Sequence, residues 1–312
     1  MTLVYRGFSI PLKEPFQGVR ERRGVMVGGP FGWGEFSPFP GFRPEASERC
    51  LSAAKDAAMN PWPAPLRTRI EASVVVPDLD PQAAHRFVVE SPCKSAKVKV
   101  RSEADEDVVE AVRDALGSDG GLRLDANGAW DVDTAVRMLS RFSRYDPEFV
   151  EQPVSTLEEM AEVRRRVEVP IAADESLTNM DDARALRQMQ AADVVVLKVQ
   201  YLGGVYAALL IAEACDVPAV VSSPIETSIG VSAGLALAAA LPELVYATGS
   251  TGNLLLQCDP CAPSISPDAD GFIEVTRATI DEKLFEGVMA DYELEAIDRR
   301  NISTALPNTP GR

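Results

Sequence analysis

The chain reads as an α/β protein, a closed barrel of parallel strands behind a small α+β domain. Three observations predict this. Eight short apolar runs recur between positions 71 and 249. Helical spacing fills the gaps between them, as in Val108, Val109, Val112 and Leu116, or Met160, Val163 and Val167. Five of the runs in series present a charged side chain at or near their C-terminal end. Strands alternating with helices imply a parallel sheet, and eight such units are enough to close one on itself.

The elements follow in order. Residues 2–12 and 24–27 read as antiparallel strands, and Gly32-Trp33-Gly34-Glu35 opens a stretch rich in Gly, Pro and aromatics. A helix is predicted over 44–59. This gives an α+β domain at 1–69, with a loop at 12–23 expected to close over the barrel. The barrel spans 70–270. Its strands are predicted at 71–76, 96–100, 122–127, 148–153, 171–176, 194–200, 219–223 and 244–249, with a capping box opening a helix at Thr156-Leu157-Glu158-Glu159. From residue 271 the barrel period is lost. The segment 271–312 is expected to pack back on the first domain, with 308–312 frayed.

Composition narrows the function. A net charge of −16 disfavours nucleic acid and anionic membrane as partners. No apolar stretch reaches membrane-spanning length, and the start lacks a signal-peptide pattern. The chain is expected to be cytoplasmic, its five cysteines reduced thiols, and to exist as a monomer or small homo-oligomer. Cys258-Asp259-Pro260-Cys261 is a lone pair with no partner motif, so zinc is not expected. The one histidine, His85, falls on a helix far from every strand end. General-base chemistry must therefore rest on lysine or carboxylate.

The charged strand ends supply both. In Ala96-Lys97-Val98-Lys99-Val100 the two lysines share one face of a strand otherwise built to be buried. Asp125, Glu151, Asp174 and Lys198 then follow Lys99 at steps of 26, 26, 23 and 24 residues. One strand, a loop and a helix need about this many residues, and barrel active sites lie at the C-terminal rim. Three carboxylates at one rim require a cation, and oxygen-only ligation selects a hard divalent ion such as Mg²⁺. A metal between opposed lysines suits removal of the proton next to a substrate carboxylate. The base, Lys99, needs a lowered pKa, which Lys97 and the metal would provide.

These residues resemble the enolase superfamily, muconate-lactonising subgroup. The likeness spans nearly the whole chain. It rests on the K-x-K at 97–99, the acids at 125, 151 and 174, Lys198, and the G-x-G-E at 32–35. The resemblance implies a (β/α)7β modified TIM barrel with an N-terminal α+β capping domain. It implies Mg²⁺ on Asp125, Glu151 and Asp174, with Lys99 as base and Lys198 as its opposite partner, and Lys97 beside them. Within the subgroup, Arg123-Leu124-Asp125-Ala126-Asn127 and the run from Ser222 to Gly230 are most similar to members that eliminate water from a cyclohexadiene carboxylate. A small-molecule carboxylate substrate is thus expected. Arg123, Asn127, Gly204 (after Gly203), Ser222, Ser223, Phe16 and Arg20 are candidate substrate contacts. Three alternatives stay open: a racemase or epimerase of N-acylamino acids or dipeptides, a Schiff-base aldolase acting through Lys198, and a non-catalytic metal-binding barrel.

Overall fold

A computed structural model describes residues 2–40 and 44–290. The first domain begins with β1 (Val4–Phe16) and β2 (Val19–Gly29), an antiparallel pair joined by Gln17 and Gly18. Both turn residues have positive φ, 49° and 77°, as a two-residue hairpin turn requires. The segment expected as a loop at 12–23 is therefore the end of a hairpin. Its hydrophobic alternation continues through Phe8, Ile10, Leu12 and Phe16, all buried, so pairing does not stop at Leu12. β3 (Gly32–Phe36) completes the three-stranded sheet, and α1 (Pro44–Met59) lies across it. Gly34 makes this possible, because a side chain there would strike the Ala54 carbonyl of α1. Val25, Val27, Phe36, Leu51, Ala54 and Ala58 fill the space between sheet and helix.

The predicted first barrel strand is divided. β4 (Arg69–Glu71) leaves the barrel, and β5 (Val74–Val75) is the barrel strand proper. There follow α2 (Pro81–Val89), β6 (Ser95–Lys99), α3 (Glu106–Leu116), β7 (Gly121–Asp125), α4 (Val132–Phe142) and β8 (Phe149–Glu151). Then come α5 (Leu157–Arg164), β9 (Ile171–Ala173), α6 (Met180–Met189), β10 (Val194–Leu197), α7 (Val199–Leu202), α8 (Val205–Cys215), β11 (Ala219–Val221) and α9 (Ser228–Ala240). Strands β5 to β11 pair in parallel in sequence order. The eighth position is taken by two single-residue bridges, Ala72 to Thr248 and Ser222 to Gly249. Residues 244–246 do not continue it as a strand. The ring is thus a (β/α)7β barrel, closed through Thr248 and Gly249.

Side-chain caps open the helices on the rim side of the strands. Asp80, Asp131, Thr156 and Asn179 each accept a backbone N–H from the first turn that follows. The capping box of Thr156 and Glu159 is complete. After the barrel, β12 (Phe272–Glu274) pairs antiparallel with β4, and α10 (Glu282–Glu286) precedes a return to the first domain. There the Ser9 amide donates to the Val288 carbonyl at 2.9 Å, and the Ala290 amide to Gly7 at 3.0 Å. The expectation for 308–312 lies outside the described residues.

Candidate active site

Parallel register brings the charged strand ends side by side. Lys97 stands level with Arg123, Lys99 with Asp125, and Asp125 with Glu151. Lys97 Nζ donates to both Glu151 oxygens at 2.9 and 2.8 Å and lies 2.9 Å from Asp125 Oδ2. Lys99 Nζ donates to Asp125 Oδ2 at 2.5 Å and to Asn127 Oδ1 at 2.7 Å. Lys198 Nζ is bonded to Asp174. Three ammonium groups and three carboxylates, drawn from five strands or their ends, therefore meet at one end of the barrel. Buried charges persist only when so paired.

Their environments push the acids and bases apart. Burial raises Glu151, and the neighbouring Asp125 adds to it, bringing its carboxyl to about 8. For Asp125 the same burial penalty is outweighed by Lys97, Lys99 and Lys198, which hold it well below the usual carboxylate range. Burial would lower Lys97 and Lys198, but their carboxylate partners outweigh it and raise both. Lys99 goes the other way. Burial, assisted by the Lys97 ammonium, lowers it despite Asp125. Of the three lysines, Lys99 alone is shifted toward the neutral amine a base must be.

The donor set fits a hard divalent ion in chemistry, since all three acids offer only oxygen. As they stand, however, no three Asp, Glu, His or Cys side chains among the described residues converge closely enough to hold one. The lysines bond both oxygens of Glu151 but only Oδ2 of Asp125 and of Asp174.

The other candidates divide. Asn127 is at the site, accepting from Lys99 and from Gln17 Nε2 (2.8 Å) and donating to Glu175 Oε1 (2.6 Å). Phe16 arrives from the hairpin, with its ring 5.6 Å from Lys99 Nζ and packed edge-on against Phe39. Ser222 is buried and lines the barrel interior with Lys97 and Glu151. Ser223 follows it in the loop leading to Glu226. Arg123 does not reach the charge cluster. Its guanidinium donates to Glu148 Oε2 at 2.6 Å and the Ala247 carbonyl at 2.6 Å, against Phe149 and Tyr246. It sits two residues earlier than Asp125 along the strand, one layer deeper in the barrel. Gly204 faces α1 instead of the cavity, for a side chain there would meet Asp56 Oδ2 at 2.8 Å. Arg20 points to solvent. The hairpin turn sets the parity of β2, and that parity buries Arg22.

Several polar residues escaped the sequence reading. Gln152 accepts from the Asp174 amide at 2.9 Å and from Ser176, and so shapes the loop that carries Asp174. Glu35, the acid of G-x-G-E, reaches from the capping domain to Thr227 and Gly230 at the start of α9. Gln200 joins Ser37 to Glu226. The available signals were the motif at 32–35 and the run from Ser222 to Gly230, which carry Glu35 and Glu226, because burial of Gln and Glu cannot be read from residue type.

Sequence and structure comparisons agree with this architecture. The family profile for enolase N-terminal domain-like proteins matches residues 7–58, and that for enolase C-terminal domain-like proteins matches 81–279. The chain belongs to the enolase superfamily. It is 51% identical over 291 residues to the o-succinylbenzoate synthase of Thermobifida fusca, covering 92% of each chain. It is 40% identical over 281 residues to that of Mycolicibacterium smegmatis, covering 88% of this chain and 86% of the relative. Within the superfamily it therefore falls among the o-succinylbenzoate synthases, which are lyases. The muconate lactonizing enzyme of Pseudomonas fluorescens, solved with muconolactone, shares the fold at 20% identity. It has a TM-score of 0.82 and covers 93% of this chain and 98% of its own.

Proposed function

We propose that the chain dehydrates 2-succinyl-6-hydroxy-2,4-cyclohexadiene-1-carboxylate to 2-succinylbenzoate, the step of menaquinone biosynthesis that the synthase name implies. The observation that carries the reading is the pairing of Lys99 and Lys198 with separate acids at one barrel mouth. Lys99 Nζ takes the proton from C1, next to the ring carboxylate. The C1–C6 double bond forms, the C6–O bond breaks, and Lys99 returns the proton to the departing hydroxide, which leaves as water. Lys198 stays an ammonium throughout, as its raised pKa favours, and offsets the negative charge that grows on the substrate.

Asp125, Glu151 and Asp174 are the residues that would hold Mg²⁺, which supplies electrophilic stabilisation of the substrate carboxylate when bound. Lys97 steadies Asp125 and Glu151. Asn127 orients Lys99, and Phe16 with Phe39 keeps water from its amine. In this reading 1–69 caps a barrel at 70–270, and the described residues from 271 to 290 return to the cap. The partner is a small carboxylate, and the enzyme is cytoplasmic, as a monomer or small homo-oligomer. All five cysteines are free thiols, in keeping with such a compartment.

An ultraviolet assay of the purified protein with the cyclohexadiene carboxylate tests the proposal. Aromatic product should accumulate with Mg²⁺ and stop with EDTA. No product with Mg²⁺ would refute it, and turnover that survives EDTA would refute the metal's part.

A further inference from the structure

The loop between β11 and α9 contains a conformation that needs explaining. Ile225 is buried and has φ of +62°, a region that β-branched residues avoid. Such strain persists only where surrounding contacts over-determine it. Here the contacts come from the other domain. On one side, Arg22 Nε donates to the Ile225 carbonyl at 2.9 Å. The same guanidinium also donates to the carbonyls of Ser37 and Pro38 and faces the Phe39 ring at 5.1 Å. On the other side, Glu35 accepts from the Thr227 amide at 3.0 Å, the Thr227 hydroxyl at 2.5 Å and the Gly230 amide at 3.2 Å. Thr227 is the N-cap of α9, so a carboxyl group from the capping domain caps the start of a barrel helix buried over residues 228–239. Gln200, two residues beyond Lys198, ties in the third side through Ser37 and Glu226.

We propose that Arg22 and Glu35 are positioning residues that grip the 223–227 loop at Ile225 and at Thr227 and hold it in the strained form that borders the substrate. The loop leaves the barrel at Ser222, beside Lys97 and Glu151, and its Glu226 accepts from Gln200, two residues beyond Lys198. Neither residue touches the proton being moved. Their effect falls on substrate binding, and the capping domain thereby sets the shape of a barrel loop. This rests on the dehydratase reading for its kinetic arm only.

Two measurements on the full chain separate the possibilities. In Arg22→Met, KM should rise about tenfold or more, the scale of a lost charged hydrogen bond, while kcat changes far less. Arg22→Lys, which retains one donor, should recover part of the loss. Adding Ile225→Gly to Arg22→Met should recover more, because glycine adopts positive φ without strain. Hydrogen exchange should speed up at residues 223–230 and stay unchanged in β6 to β10. Glu35→Gln serves the same test if Arg22→Met does not fold. Unchanged KM with unchanged exchange in the loop would overturn the proposal, as would loss of protection throughout the barrel. If the wild type shows no dehydratase turnover, the function fails and the exchange measurement still decides the grip.

Discussion

At Lys99 two influences oppose each other. Burial and the ammonium of Lys97 favour the neutral amine, while Asp125, 2.5 Å away, favours the charged one. At Asp174 the partner is Lys198, and the acid's proposed task is to hold the metal. Asp174→Asn should weaken Mg²⁺ binding by at least about tenfold in a titration, because one anionic oxygen is replaced by a neutral amide. An unchanged titration would remove Asp174 from the ligand set. These residues were legible in the sequence for a physical reason. A lysine or aspartate inside an apolar run must be compensated, and regular spacing pointed to the partner. Arg22 and Arg20 show the limit. Which of them is buried depends on a two-residue turn at Gln17-Gly18, and Gln-Gly lacks the Asn or Asp that usually marks such a turn. Arg123 shows another. Sharing a strand face with Asp125 fixes direction but not depth, and two residues along the strand place it a layer below the chemistry.

The elements repeat the same lesson at greater length. Strand–helix alternation was visible because each unit carries its own punctuation. At α5, Thr156 accepts the Glu159 amide while Glu159 accepts the Thr156 amide. Thr156→Ala should lower stability by about 1 kcal/mol, read as a fall in Tm, with turnover unchanged. A matching loss of activity would show that the helix has a closer tie to the site than its position suggests. The eighth strand was placed but overdrawn. Its run of apolar residues at 244–247 suggested a strand, yet only Thr248 and Gly249 bridge their neighbours and Val245 stays exposed. Pairing partners decide strand length, and these are set by the ring's closure. The hairpin was underdrawn for a related reason: its far half is stabilised by contact with the barrel mouth through Phe16 and Gln17.

Across the whole molecule, the interface between cap and barrel stores two buried carboxyls side by side. Burial and the nearby Glu226 raise Glu35 to about 8, and burial raises Glu226 as well. A carboxyl whose folded value lies above its unfolded one binds more protons in the native state. Its contribution to stability is full below the ordinary carboxylate range and is lost as pH rises through about 8. Between pH 6 and 9 the wild type should therefore lose Tm, and Glu226→Gln should lose less, since one source of repulsion is gone. Equal losses would mean that the two carboxyls do not sense each other. Nothing in the sequence announces this pair, because Glu35 and Glu226 lie 191 positions apart and only the folded contact joins them.

The central claim is that Lys99 removes the substrate proton within a mouth that other residues keep assembled. The direct measurement is kcat/KM for Lys99→Ala at saturating Mg²⁺, together with its Mg²⁺ affinity and Tm. General-base removal is worth roughly 10²–10⁴ in rate, so dehydration should fall by about that factor or more while affinity and Tm stay near wild type. A variant that keeps most of its turnover would contradict the account.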